Sequence, residues 1–139
     1  MPRPRKKRKV IHPPKMHGFQ PFGIALCSSE KVLLHFDEFE SIKLVNYDHL
    51  SQEDAALSMD ISRPTLTRIY NLALRKIAQA FVEGRSIIIE GGNYKFDKDW
   101  FKCQKCHKLI EGLENHFKCA GCNRFGQEEL ISLTQLNND

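Results

Sequence analysis

No apolar run in the chain approaches the roughly 18 residues that a membrane-crossing helix needs, so no membrane association is expected. The N-terminus is basic, but no apolar h-region follows it, so a secretory signal is not expected either. Neither a Ser/His/Asp set nor a paired-carboxylate constellation presents itself, which argues against an enzyme. The five cysteines are an odd number, and four of them form two C-x-x-C pairs. A disulfide framework is therefore a poor reading, and a reducing compartment with a metal site is a better one. Acidic residues are missing from two stretches, residues 1–15 and residues 62–80.

The first of these gaps carries the charge of the whole chain. The 139 residues sum to +4, yet residues 1–15 hold seven basic groups and the other 124 sum to −3. At 41% hydrophobic the remainder can build a core, which excludes wholesale disorder. Composition divides the chain into a basic flexible arm (1–15), a periodic unit (16–92), a lysine-rich aromatic segment with four cysteines (93–125) and a tail (126–139). Pro13, Pro14 and Pro21 favour extended chain after the arm.

Within the periodic unit, Lys31–Phe36 reads as a strand. Asp37 offers an N-cap with Glu40 three residues on, opening a helix to about Tyr47 whose apolar face is Phe39, Ile42, Leu44 and Val45. Ser51 with Asp54 opens a second, short helix with Ala55, Ala56 and Met59 inward. Ser62 caps a third, with Pro64 tolerated in its first turn. Leu66, Ile69, Tyr70, Ala73, Ile77, Ala80 and Phe81 give that helix one stripe at 3.6-residue period. Gly84 ends it. Arg85–Glu90 reads as a strand that pairs with Lys31–Phe36 across the helices, and Gly91-Gly92 ends it.

The second and third helices, joined through Asp60, Ile61 and Ser62, have the makings of a helix-turn-helix. Ala56 allows close approach, Asp60 tolerates left-handed backbone, and Ile61 supplies an apolar anchor. Arg63, Pro64, Thr65, Thr67, Arg68 and Asn71 then lie near the end of the third helix that normally reaches base edges in the major groove, with Arg75 and Lys76 further down toward phosphate or solvent. In the arm, Arg3, Arg5, Lys6, Lys7, Arg8 and Lys9 suit sequence-independent contact with phosphates of double-stranded DNA. The arm's likeness to a nuclear localisation signal is read as a coincidence of composition.

Several stretches, PRPRKKRKV at the start, FQPFGI at Phe19–Ile24, FDEFESIKL at Phe36–Leu44, the segment Leu50–Phe81 and IEGG at Ile89–Gly92, together resemble an uncharacterised prokaryotic family of small DNA-binding proteins. Its helix-turn-helix is similar to region 4 of sigma-70 factors. The resemblance implies a winged or strand-flanked helical unit, a role in transcription and a prokaryotic cytoplasmic, nucleoid-associated location. Met59-Asp60-Ile61-Ser62 departs from the family's usual M-G-[VI]-S, which implies a slightly strained turn.

Cys103-x-x-Cys106 and Cys119-x-x-Cys122 sit in similar frames, FKCQKCH and FKCAGCN. Two such knuckles complete a thiolate tetrahedron around one structural Zn²⁺, with iron or an iron–sulfur group as the lesser alternative. His107 and His116 read as surface residues and Cys27 as a bystander. Tyr94, Phe96, Trp100, Phe101 and Phe117 among lysines suit either base stacking or, with more weight, a small core. The expected fold is mainly α: a helix-turn-helix unit with short flanking strands and a small zinc-ribbon-like lobe. The expected function is a DNA-binding transcriptional regulator. The alternative is a sigma-region-4-like adaptor that docks RNA polymerase, and the zinc lobe serves either a partner or a homodimer.

Overall fold

The computed structural model describes residues 7–25, 30–96, 100–103, 109–111 and 130–133. Two of the three helical segments start where the capping signals place them. Helix α2 (Gln52–Ser58) is capped by the Ser51 hydroxyl, which accepts the Asp54 N–H at 3.1 Å. Helix α3 (Arg63–Glu83) is capped by Ser62, which accepts the Thr65 N–H, and Gly84 ends it in left-handed backbone at φ 65°. Helix α1 (Phe36–Ile42) starts two residues earlier than the sequence suggests. Its N-cap is His35, whose backbone N–H donates to the Glu38 carboxylate at 3.3 Å. Asp37 is not the cap, because Arg8 engages its carboxylate. A π-helical turn, Lys43–Tyr47, extends α1 to the expected end.

The helical segments hold most of the regular structure, but with eight short strands the described residues form a mixed α/β arrangement with more strand than expected. Strand β4 (Ile87–Ile89) is the centre of a three-stranded sheet, antiparallel to β2 (Gly18–Phe19) and parallel to β3 (Val32–Leu34). A parallel pair needs a long crossover, and here all three helices form it. The expected pairing of these two segments is thus present. Outside it lies a second parallel pair: β1 (Arg8–Val10) runs beside β5 (Tyr94–Phe96). A third sheet has the order β7 (Leu109–Glu111), β6 (Trp100–Cys103), β8 (Leu130–Ser132). Strands of two to four residues are too short for a period-2 pattern to announce them.

Two boundaries move in consequence. The basic segment is not a free arm from Arg8 onward. Val10 is fully buried, the Arg8 N–H donates to the Asn93 carbonyl, and the Lys9 N–H donates to the Met59 carbonyl at 2.9 Å. Nor does the first unit end at residue 92. Tyr94 and Phe96 pack on Phe36, with ring centroids 4.5 and 6.1 Å away, so these two aromatics serve the core of the first unit.

The core has two lobes, one after the other along the buried stripe of α3. One gathers Leu44, Ala55, Ala56, Met59 and Leu66, with Ile61 packed against it; the other gathers Leu34, Ala73 and Ile89, with Phe36, Phe39, Ile42 and Ile77 against it. The α3 stripe holds for Leu66, Ile69, Ala73 and Ala80, but Phe81 is 88% exposed, because no described element covers the last turn on that side.

Helix α1 inverts the expected amphipathic rule. Its acids Asp37, Glu38 and Glu40 are buried, while Phe39 and Ile42 are half-buried. Each acid meets a group from elsewhere in the fold. Arg8 binds Asp37 at 2.7 Å, Lys76 binds Glu38 at 2.6 Å, and Glu40 takes the Ile11 N–H at 3.5 Å and faces Lys43 at 3.7 Å. Lys76 is therefore a structural partner of α1 rather than a phosphate or solvent contact. Breaking a buried pair leaves an uncompensated charge, which costs roughly 3–5 kcal/mol. Lys76→Ala should lose about that much in urea unfolding, and the double variant Lys76→Met with Glu38→Met should recover much of it. A single variant of wild-type stability would show that the pair carries no weight.

Burial pushes the Glu40 carboxyl above the ordinary carboxylate range, against the opposing pull of Lys43 and the Ile11 N–H. A raised folded pKa means that the folded state holds the proton longer. The stabilisation is full below the unfolded pKa and is lost as pH rises through the folded one. Glu40→Gln should thus gain on the wild type as pH rises from about 4, the ordinary glutamate value, read as the difference in unfolding free energy. A pH-independent difference would contradict the shift.

Candidate functional site

The turn between α2 and α3 is built from local chemistry. Met59 caps α2 and is fully buried, Asp60 adopts φ 58°, and the Ile61 N–H donates to the Ala56 carbonyl at 3.0 Å. Asp60 thus takes the left-handed conformation where glycine is most at ease, at a modest steric cost. Ala56, 3% exposed, leaves room for α3 to approach, and Leu66 closes the contact from the other side. The connection has the tightness and the apolar anchor that the sequence implied.

The face of α3 turned away from this core shows Pro64, Arg68, Asn71 and Arg75, all exposed. No hydrogen bond or ion pair holds Arg68, Asn71 or Arg75 among the described residues. They are three polar groups on successive turns of one side of a helix with no acid before Glu83. Beside them an open cleft of about 440 Å³ is lined by Arg8, Asp60, Ser62, Thr65, Arg68 and Asn93, among others. Arg8, at the start of β1, therefore meets the start of α3.

Other expected contacts are already engaged within the fold. The Thr67 hydroxyl lies 2.5 Å from Gln52 Oε1 and 3.1 Å from the Arg63 carbonyl, so it fastens α3 to α2. Arg63 faces Glu53 at 3.3 Å, but both side chains are largely exposed, and such a pair is weak and easily exchanged. The Thr65 hydroxyl lies 2.8 Å from that of Ser62 at the cap. Arg8 spends its guanidinium on Asp37, and Lys9 is half-buried in β1, so neither is the free phosphate contact expected of an arm. Lys7 is exposed at the head of β1, and Arg3, Arg5 and Lys6 lie outside the described residues. The signal for β1 was present as Val10 and Ile11, an apolar pair directly behind the basic run.

Of the proposed metal ligands, Cys106, Cys119 and Cys122 lie outside the described residues, and of Cys103 only the backbone, at the end of β6, is described. Cys27, His107, His116 and Phe117 also lie outside them. Among the described residues no group of three or more His, Cys, Asp or Glu side chains is placed to hold a metal ion. No helix among them is long and apolar enough to cross a membrane.

Three motifs that carry the family resemblance converge in space. The Phe36 N–H at the head of α1 donates to the Gly91 carbonyl, and the His35 ring approaches the Glu90 carbonyl at 3.1 Å. A Cβ on Gly92 would lie 2.6 Å from Asp37 Oδ1 and 2.7 Å from His35 Cβ, so only glycine fits there without displacement. Arg8 reaches the same Asp37 from β1.

No solved structure matches the chain. Relatives are numerous. A UPF0251 protein of Halothermothrix orenii is 40% identical over 116 residues, covering 84% of this chain and 86% of its own. One of Chloroherpeton thalassium is 36% identical over 132 residues, covering 94% and 87%. One of Methanothermobacter thermautotrophicus is 40% identical over 125 residues, covering 88% and 64%. A family profile described as protein of unknown function DUF134 matches residues 1–97, a span that ends at β5 and leaves the β7–β6–β8 sheet outside. The chain thus belongs to the DUF134 family, whose members include the UPF0251 proteins.

Proposed function

We propose that this protein is a DNA-binding transcriptional regulator, not an enzyme, that presents α3 to the major groove of double-stranded DNA. The observation that carries the reading is the exposed row Arg68, Asn71 and Arg75, unpaired among the described residues, on a helix set by a tight turn against α2. Arg and Asn make bidentate contacts with guanine and adenine edges. Thr67 drops out of the contact set because its hydroxyl serves α2, and Arg63 joins it only by leaving Glu53. Residues 2–7 supply sequence-independent affinity for phosphate, and the chain that follows them enters β1 at Arg8, which lines the cleft. Residues on β1 itself position this segment and do not extend it.

Two variants separate the roles. Arg68→Ala should cost roughly 1–3 kcal/mol on a selected site and relax preference at one position. Deleting residues 2–7, which spares β1, should weaken binding to all sequences alike and flatten the salt dependence. Equal loss on selected and random DNA in the Arg68 variant, or failure of in vitro selection to enrich any motif, would instead favour an adaptor that docks RNA polymerase.

The same reading gives the C-terminal segment one structural Zn²⁺ held by Cys103, Cys106, Cys119 and Cys122. Its support is the two-residue spacing within each pair and the way the strands bracket them. The antiparallel register Lys102↔Leu109 puts Cys106 in the β6–β7 connection, and Cys103↔Leu130 brings the chain after Cys122 back beside Cys103. A segment this small buries too little to fold unaided, so metal affinity would be folding energy. Elemental analysis should find about one zinc per chain, lost together with protease resistance of the C-terminal segment in Cys103→Ser. Full metal content in that variant would remove Cys103 from the site.

A further inference from the structure

One motif that carries the family resemblance has no place in DNA contact or in the core. Of the stretch Phe19–Ile24, Phe22 is 100% exposed, Phe19 60% and Ile24 47%. The C-terminal end of α3 adds Phe81 at 88% and Val82 at 81%. Phe19, Ile24 and Phe81 meet around one groove, and Phe22 and Val82 adjoin them in sequence. Phe19, Pro21, Ala80, Phe81 and Gly84 line one shallow groove of about 380 Å³, and a Cβ on Gly84 would lie 3.2 Å from Ile24 Cδ1. We propose that this apolar face, formed by the loop after β2 and the last turns of α3, is the interface through which two copies of the chain associate as a symmetric dimer.

Two observations select a second copy as the occupant. The first is area. With roughly 200 Å² for a whole Phe and somewhat less for Ile or Val, the five side chains expose about 700 Å². Summed over this face, that approaches the roughly 800 Å² per partner of a standard interface. The second is geometry, and it rests on the DNA-binding reading. Phe81 lies thirteen residues beyond Arg68 on α3, which at about 1.5 Å per residue is roughly 20 Å. A two-fold axis at the Phe81 end therefore sets the two Arg68 positions at most about 40 Å apart. Half-sites one DNA turn apart need about 34 Å, which an angle between the two α3 axes provides. The polar reading end and the apolar end of one helix thus divide recognition from pairing. A self-complementary patch of this kind suits an isologous contact, in which each Phe81 meets the partner's loop after β2.

The test is the solution mass of the full-length, metal-loaded protein by light scattering at micromolar concentration. The wild type should run at twice 16.1 kDa. Phe81→Glu and Phe22→Glu, both at exposed positions, should each run at half the wild-type mass with unchanged circular dichroism and melting. On DNA with two facing copies of a selected site, these variants should lose cooperative binding and keep the affinity for a single copy. A monomeric wild type overturns the proposal, as does a dimer that survives both substitutions. A dimer split by both variants stands even if no DNA site can be selected, so failure of the DNA reading and failure of this one remain distinct.

Discussion

The row of buried acids on α1 is the constraint on which the rest of the first unit depends. Asp37, Glu38 and Glu40 lie within four residues, and each is at most 3% exposed. Burying three carboxylates is expensive unless each finds a charged or N–H partner. Those partners come from different parts of the chain: Arg8 from β1, Lys76 from α3, and the Ile11 N–H with Lys43 for Glu40. The helix can reach its native position only when β1 and α3 are in theirs. Compensation is incomplete, since Asp37 Oδ1, Glu38 Oε2 and Glu40 Oε2 are buried with no hydrogen bond. The raised Glu40 pKa reflects the same shortfall. Such a network favours one arrangement of segments over others more than it adds stability.

This network also explains why some features were legible in the sequence and others were not. The caps at Ser51 and Ser62, the left-handed Asp60, the Gly84 stop and most of the α3 stripe are decided within four residues of chain. Short-range spacing therefore reveals them. The β3–β4 pairing was legible too, because both segments are apolar and flank the helices. By contrast, the Arg8–Asp37 and Lys76–Glu38 pairs join residues 29 and 38 positions apart. Nothing local to FDEFES says that its acids turn inward, and amphipathicity argues the reverse. For the candidate site, the exposed side of α3 followed from the stripe, whereas the withdrawal of Thr67 toward Gln52 and of Arg8 toward Asp37 required the tertiary contacts. Phe81 was misplaced for a related reason. It continues the period, but periodicity describes the helix and not how far the core extends beneath it.

Helix α3 can be read as three consecutive zones with different physical assignments. Its first turns rest on α2 through Leu66 and Thr67 and carry the unpaired polar row outward. Its middle is fixed to α1 by Lys76 and to the β3–β4 sheet through Ala73 and Ile77. Its last turns leave the core and expose Phe81 and Val82. A 21-residue helix held at its first turns and middle behaves as a rod of about 31 Å, so its two ends are placed relative to each other by the core between them. Any macromolecule gripped at one end is therefore positioned relative to one gripped at the other.

That rigidity changes the meaning of the charge distribution. The N-terminal basic residues are not a detachable reservoir throughout. Arg8 and Lys9 are bound into β1, and the Lys9 N–H donates to the carbonyl of Met59 at the end of α2. Arg8 thereby lines the cleft beside the start of α3, and Lys7, the residue before it, stands exposed. The acid-free polar side of α3 begins beside that cleft, and the opposite end of the same helix is left apolar.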